Sequence, residues 1–322
     1  MEEWAIGIDL GGTKIEAALV DTKGNIYNRQ RIPTDASLGY ESVLSHIITA
    51  VNNIYQENKD VTASVIGMGV AGQISKTDGS VKYAPNLDWE NVPLQSDLAK
   101  KLNKPVAVCN DVRAATIGEW LYGAGKDCDN IVCIFVGTGI GGGIVSEGKI
   151  LEGINNTAGE IGHITIELHG SKCHCGNTGC FEALAGGWAI ERDAQQAVSE
   201  NKAEGKLLLE LAQGSITNIT AKILTQGIKQ NDFLSQKLIN NLTEALIAGG
   251  ISIVNAFGPK RFIWGGGIIE GLPQLLPLIE TGIKKRALHA ATDSLEIVPA
   301  KLHNDSGVIG AAAFALQTFK KI

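Results

Sequence analysis

I-V-C-I-F-V-G-T-G-I-G-G-G, residues 131–143, has a near twin at the start of the chain, W-A-I-G-I-D-L-G-G-T-K at 4–14. Each is an apolar run that reads as a strand and ends in a glycine turn. The first turn is followed by strands at 14–20 and 25–32, joined by T-K-G-N; the second is followed by the strand pieces I-V-S and K-I-L. Both turns thus lie between strands. A dinucleotide-binding fingerprint needs its glycine loop to open a helix, so that reading fails, and without G-K-[ST] neither turn is a P-loop. Glycines in such turns open backbone N–H groups toward an anion. A matched pair of them points to a polyphosphate more strongly than either alone.

Working outward, the same plan follows each turn. In the first half a helix is expected at 39–57, a strand at 65–70, a loop from A-G-Q-I-S to Y-A-P-N-L-D-W, a helix at 94–102 and a strand at 105–110. In the second half helices are expected at 184–200, 204–212, 217–227 and 233–257, then a strand at 261–264, a helix at 273–287, a strand at 295–299 and a final helix at 306–319. Without the duplication, this alternation would indicate one doubly wound sheet. With it, the expectation is two α/β domains. The chain has 322 residues, 44% hydrophobic and 19% charged, the composition of a globular protein with room for two cores. Net charge is -6 with no basic run, which argues against a nucleic-acid partner. The N-terminus lacks a cationic region and a long apolar core, and no apolar run approaches bilayer length, so neither membrane nor secretion is expected and the compartment is read as cytoplasmic.

A third stretch carries chemistry of another kind: G-E-I-G-H-I-T-I-E-L-H-G-S-K-C-H-C-G-N-T-G-C-F-E, residues 159–182. His163, Cys173, Cys175 and Cys180 supply four N/S donors, enough to close a tetrahedral Zn2+ site with no position left for water, hence a structural metal. His174 is a rival fourth ligand, and a disulfide plus a free thiol is the competing chemistry. Cys109, Cys128 and Cys133 lie in or beside apolar runs and read as reduced thiols. Glu160 and Glu182 bracket the loop, which would bring their carboxylates together for bidentate hydrogen bonding to sugar hydroxyls. Asp9 at a strand end suits Mg2+, Thr13 adds a hydroxyl donor, and Lys14 is read either as a phosphate contact or as a solvated strand residue.

The E-x-G-H motif followed by C-x-C-G-x-x-G-C-x-E resembles the ROK family of sugar kinases and repressors, and the resemblance runs from Ile6 to the last helix. The duplicated plan likewise resembles the actin/hexokinase/Hsp70-type architecture. The resemblance implies an α/β, two-domain actin-like ATPase fold (a duplicated ribonuclease H-like fold) with an interdomain cleft. Its small domain would comprise 1–112 plus 306–322 and its large domain 113–305. It implies ATP, Mg2+ and structural Zn2+ as cofactors. Asp9, Gly11, Gly12, Thr13 and Lys14, Gly137, Thr138 and Gly139, and the adenosine-side Gly265, Gly266 and Gly267 would bind the nucleotide. A tight strand-to-helix turn is the plainer reading of the last three. Asp111 would be the catalytic base, though N-D-V-R-A-A also allows it to be a helix N-cap. Gly72, Asn86, Asn110, Asp111, Glu160, His163 and Glu182 would hold the sugar, while Trp89 is read as core or lid packing.

P-N-L-x-W, N-D and E-x-G-H-x18-E are what glucokinases of this family present, so transfer to the 6-hydroxyl of glucose is expected. N-acetylmannosamine, N-acetylglucosamine or fructose are the alternative substrates, and a non-catalytic sugar-sensing regulator the alternative role. ROK repressors carry a helix-turn-helix segment before the first phosphate turn; here that turn begins at Asp9, which favours the kinase branch. The partners implied are a hexose and ATP, with a homodimer or dimer of dimers as the assembly.

Overall fold

The computed structural model describes residues 3–320. Its first sheet is built from β1 (Trp4–Leu10), β2 (Lys14–Asp21), β3 (Ile26–Pro33), β4 (Val65–Val70) and β8 (Val106–Asn110), in the order β3-β2-β1-β4-β8. β1 to β3 form the antiparallel meander, and β4 and β8 run parallel to β1. The second sheet comprises β9 (Ile131–Val136), β10 (Ile140–Ser146), β11 (Lys149–Ile150), β12 (Arg261–Gly265) and β13 (Glu296–Pro299), in the order β11-β10-β9-β12-β13. Read from the first strand of each, the two orders are the same, so the duplication expected from the glycine turns extends to the topology.

The central strands β1, β4, β8, β9 and β12 are near-continuous apolar runs because the parallel part of each sheet is covered on both faces. α1 (Tyr40–Glu57) lays Val43, Ile47, Val51 and Ile54 on one face of the first sheet, and with α2 (Leu94–Leu102) it closes a hydrophobic core cluster. Trp89 belongs to that core, 3% exposed and edge-on to Tyr40 at 5.1 Å, as packing rather than a stacking platform. The segment 71–89, expected as a loop, instead forms a small antiparallel sheet of β5 (Gln73–Ile74), β6 (Val81–Ala84) and β7 (Trp89–Val92). Its strands are two to four residues long with a bulge between Gln73 and Ile74, too short to show a period in the sequence.

The remaining helices are α3 (Asp111–Tyr122), α4 (Phe181–Ala185), α5 (Gly187–Glu200), α6 (Lys206–Leu211), α7 (Ala221–Lys229), α8 (Phe233–Phe257), α9 (Gly267–Gly271), α10 (Leu275–Arg286), α11 (His289–Thr292) and α12 (Ser306–Lys320). None of the described helices is long and apolar enough to cross a membrane. One compact unit takes the residues up to Asp129, Gly143–Gly159 and those from Ala300 onward; the other takes Asn130–Gly142 and Glu160–Pro299. This division moves α3 and 143–159 out of the expected large domain, which began at 113. The physical reason is that α3 packs on α12 and β4. Glu119 reinforces the join: fully buried, its carboxylate accepts from the backbone N–H groups of Ala124, Lys301 and Leu302, which offsets the cost of burying the charge.

α12 meets the first sheet and α3 at backbone distance. A Cβ on Gly67 would lie 1.7 Å from the Ala311 carbonyl oxygen, one on Gly7 1.8 Å from that of Val308, and one on Gly310 1.7 Å from that of Ala114. Gly67→Ala is therefore expected to cost about 3 kcal/mol or more of unfolding free energy by forcing rigid backbone apart. Gly271→Ala, where an added Cβ meets nothing within 4 Å, should stay within about 0.5 kcal/mol of the parent. Urea midpoints of the two variants measure the contrast.

Candidate active site

In the first unit, the candidate residues gather at the carboxyl ends of β1, β4 and β8. The turn after β1 is closed by Gly11 N–H donating to the Lys14 carbonyl at 3.0 Å. Buried Thr34 clamps it from outside: its hydroxyl donates to the Gly11 carbonyl at 2.7 Å and its N–H to the Thr13 carbonyl at 3.0 Å. Nothing in the sequence singles out Thr34, because its partners are backbone atoms. Asn86 lies against this turn, its Cβ 3.2 Å from where one on Gly12 would stand. Lys14 is neither a plain solvated residue nor unengaged. Its ammonium pairs with buried Glu16 at 3.1 Å, beside Arg29 at 2.6 Å and Arg31 at 2.9 Å. Burial alone would push the Glu16 carboxyl up, but these three cations hold it below its usual range.

The capping role that the sequence offered to Asp111 falls to Asn110. The N-cap of α3 is Asn110, whose Oδ1 accepts from the Arg113 N–H at 3.1 Å while its Nδ2 donates to the Gly72 carbonyl at 3.2 Å. Asp111 is the first helical residue. Its Cα would stand 3.1 Å from a Cβ on Gly69, and Gly69 pairs with Asp9 across β4 and β1. The absence of a side chain there lets two carboxylates approach. Asp9 feels this: burial first, and then the charge of Asp111, raise its pKa from 3.8 to about 6. A carboxylate in that position suits a divalent cation, since the cation reverses both penalties.

In the second unit, the turn after β9 holds Gly137, Thr138 and Gly139, with Thr138 exposed at its tip. The Gly187 and Trp188 N–H groups donate to the Gly137 and Thr138 carbonyls, each at 2.9 Å. Gly265 ends β12 and Gly267 begins α9. Between them Gly266 has φ +90, and a Cβ there would strike the backbone of Val136 at 2.5 Å. The triplet is thus a tight strand-to-helix turn, and it also borders a pocket of about 560 Å3 lined by Gly137, Thr138, Trp188, Glu191, Lys222 and Gly267.

Glu160 precedes a 3-10 turn over Ile161–His163 as its N-cap residue, with no side-chain hydrogen bond to the turn, and the His163 N–H donates to its carbonyl at 3.1 Å. His163 turns Nδ1 to the Cys173 sulfur at 3.7 Å, Cys175 and Cys180 stand 3.7 Å apart, and the four donor atoms all lie within 4.8 Å of one another. That is the size of a tetrahedral N/S site, with edges of about 3.7 Å for bonds near 2.3 Å. It is far beyond the length of an S–S bond (about 2.05 Å). All six cysteines are free. His174, the rival ligand, is stacked on the Trp188 indole instead, with centroids 4.1 Å apart. The loop folds this tightly because Gly179 sits at φ +69, where a Cβ would meet the Glu167 carbonyl at 1.6 Å. Glu182 does not simply project from the loop. Its Oε2 accepts from the Ile140 N–H at 2.9 Å and its Oε1 from the Trp188 indole at 3.2 Å, so the carboxylate braces the second glycine turn.

Two sheets of one topology, each with a glycine turn after its first strand, make this an actin-like ATPase fold. The chain belongs to the ROK family, whose model matches residues 5–318. It is 35% identical over 312 residues to a glucokinase from Halalkalibacterium halodurans, covering 96% of this chain and 94% of that protein. The structure of a ROK family glucokinase from Streptomyces griseus, in complex with glucose and AMPPNP, superposes with a TM-score of 0.83 at 32% identity, over 98% of this chain and 99% of that one. A ROK hexokinase from Thermus thermophilus gives a TM-score of 0.85 at 29% identity over the full length of both.

The raised Asp9 pKa has a testable sign. A buried acid raised from 3.8 to about 6 favours its protonated form. Its contribution to stability is therefore present below pH 3.8 and lost as pH rises through 6, by about 3 kcal/mol in all. Asp9→Asn should accordingly stabilise the metal-free protein by up to about 3 kcal/mol at pH 7 and by less than about 1 kcal/mol at pH 4. Thermal melts across that range measure it.

Proposed function

We propose that the chain is an ATP-dependent hexose kinase that phosphorylates the 6-hydroxyl of glucose. The observation that carries the reading is the placement of Asp111. Asn110 takes the capping role, and the Asp111 carboxyl stands at a strand end close enough to Asp9 to raise its pKa. In the transfer the sugar oxygen bonds to the γ-phosphorus as the bond to the β,γ-bridging oxygen breaks. Asp111 accepts the hydroxyl proton and ADP leaves. Positioning and charge neutralisation supply most of the acceleration in such reactions. In the turns that the Gly11 and Gly137 amides close by bonding to the Lys14 and Gly139 carbonyls, the N–H groups of Gly12 and Thr13 and of Thr138 and Gly139 take phosphate oxygens, Lys14 adds positive charge beside the first turn, and Gly265 to Gly267 border the adenosine side.

Mg2+, bound with the nucleotide near Asp9, would neutralise charge on the phosphates. Zn2+, held by His163, Cys173, Cys175 and Cys180, would supply a rigid frame. Since Nδ1 of His163 faces the sulfurs, its Nε2 edge is left for a sugar hydroxyl, with the tautomer fixed by ligation. Glu160 and the remaining lone pairs of Glu182 accept from the ring hydroxyls, joined by Asn110, Asn86 and the 71–73 segment with Gly72. Free cysteines throughout support a cytoplasmic setting. Phe233 and Phe257, exposed at the two ends of α8, support a homodimer or dimer of dimers built on that helix.

A coupled ADP-release assay with Mg-ATP and glucose, fructose, N-acetylglucosamine and N-acetylmannosamine tests the reading. Glucose should turn over fastest. A sugar that raises the melting temperature without any turnover would establish a sensor instead. Asp111→Asn should lower kcat at least about 1,000-fold while the glucose Kd, measured calorimetrically, changes little. Cys175→Ser should lower the zinc-to-protein ratio and the melting temperature together, whereas unchanged stoichiometry would overturn the ligand set.

A further inference from the structure

Trp188 is unused by the chemistry above, yet several parts of the second unit converge on it. Its indole N–H donates to Glu182 Oε1 at 3.2 Å, and the other oxygen of that carboxylate holds the Ile140 N–H of the glycine turn at 2.9 Å. The Trp188 backbone N–H donates to the Thr138 carbonyl of the same turn at 2.9 Å. The ring stacks on His174 at 4.1 Å, within the loop that carries the four N/S donors, and packs against Cys173 and Cys180. The Arg192 guanidinium lies 5.2 Å from the ring. The indole borders the 560 Å3 pocket, but with His174 stacked on it and Arg192 beside it, it is no platform for a base.

We infer that Trp188 is a positioning residue that locks the cysteine–histidine loop, the Glu182 carboxylate and the nucleotide-side glycine turn into one rigid block. The chemical logic is economical. Glu182 has two oxygens to orient, and one neutral donor from each side, indole and backbone amide, sets the carboxylate plane and so aims its remaining lone pairs. Of those two donors, it is the indole whose own position is set by the loop, through the His174 stack and the cysteine packing. Displacing the loop therefore moves the indole, and with it both Glu182 and the Thr138 carbonyl. The inference rests on the kinase reading for its sugar arm alone; its nucleotide and metal arms are independent of catalysis.

The test compares Trp188→Phe, which keeps an aromatic ring but removes the N–H, with Trp188→Ala and with His174→Ala. Trp188→Phe should keep the wild-type zinc-to-protein ratio and an AMPPNP Kd within about twofold, while kcat/KM for glucose falls about tenfold through KM, the size of one lost hydrogen bond to a charged group. Trp188→Ala and His174→Ala should each weaken AMPPNP binding, measured by calorimetry. The double variant should be no weaker than Trp188→Ala alone, since both substitutions act through one contact. A wild-type glucose KM in Trp188→Phe overturns the sugar arm, and additive effects of the two alanine variants on AMPPNP overturn the coupling. If Trp188→Ala fails to fold by circular dichroism, Trp188→Phe still decides the sugar arm and His174→Ala alone decides the coupling, which a wild-type AMPPNP Kd in that variant overturns. If the wild-type protein phosphorylates no hexose, the kinase reading fails while the AMPPNP and zinc measurements still decide this one.

Discussion

The first unit depends on one close contact, the seating of α12 on the sheet at two glycines, where no side chain intervenes. Gly7 and Gly67 on adjacent strands receive the α12 backbone directly, and Gly310 on the helix receives α3. Side chains of ordinary size at these positions would lift the helix by several ångströms. The consequence reaches the chemistry, because Gly307, in the first turn of α12, lies so close to Asp9 that a Cβ there would stand 3.0 Å from its carboxyl carbon. The helix start is thus part of what buries Asp9, and burial is the main cause of its raised pKa. A packing constraint among glycines becomes an electrostatic property of a candidate metal ligand.

The second unit solves a different problem. Its turn after β9 occupies the place that the turn after β1 occupies in the first, yet the two are braced by different chemistry. Thr34 holds the first through its hydroxyl and its N–H. The second is held by the Gly187 and Trp188 amides at the start of α5 and by the Glu182 carboxylate. Duplication has kept the topology and the position of the glycine turns while the support has diverged. The second turn is tied to the cysteine loop through Glu182 and Trp188.

Much of this was legible in the sequence, for reasons that differ by element. α8, expected at 233–257, has those bounds because a long periodic run between Asp232, which caps it, and Gly258, in the left-handed conformation beyond it, leaves little freedom. The four N/S donors were legible because ligand spacing is a chemical constraint carried locally. The β5–β7 sheet was not, since strands of two residues carry no period. Nor was the division between units, which is set by α12 packing on α3 across nearly two hundred residues. Thr34, Glu119 and Gly307 escaped notice for a related reason: each acts on backbone or on a residue distant in sequence, and such partners leave no mark on local composition.

Glu182 marks where reading by motif and reading by structure part. As a motif it is one of a pair of carboxylates bracketing a metal loop, and its natural partner is a sugar hydroxyl. In the fold it already accepts two hydrogen bonds, one from the glycine turn and one from Trp188. A carboxylate has about four lone-pair sites, so the two roles are compatible, and their combination has a consequence. On the proposed reading, a sugar hydroxyl that binds Glu182 binds a group already bonded to the turn proposed to receive the phosphates. Withdrawing charge toward the sugar weakens the grip on the Ile140 amide, and a negative charge arriving at the turn changes the field at the carboxylate. If the proposed sugar and nucleotide sites both use Glu182, they are energetically linked through that one side chain, and by thermodynamic reciprocity each ligand then feels the other to the same degree.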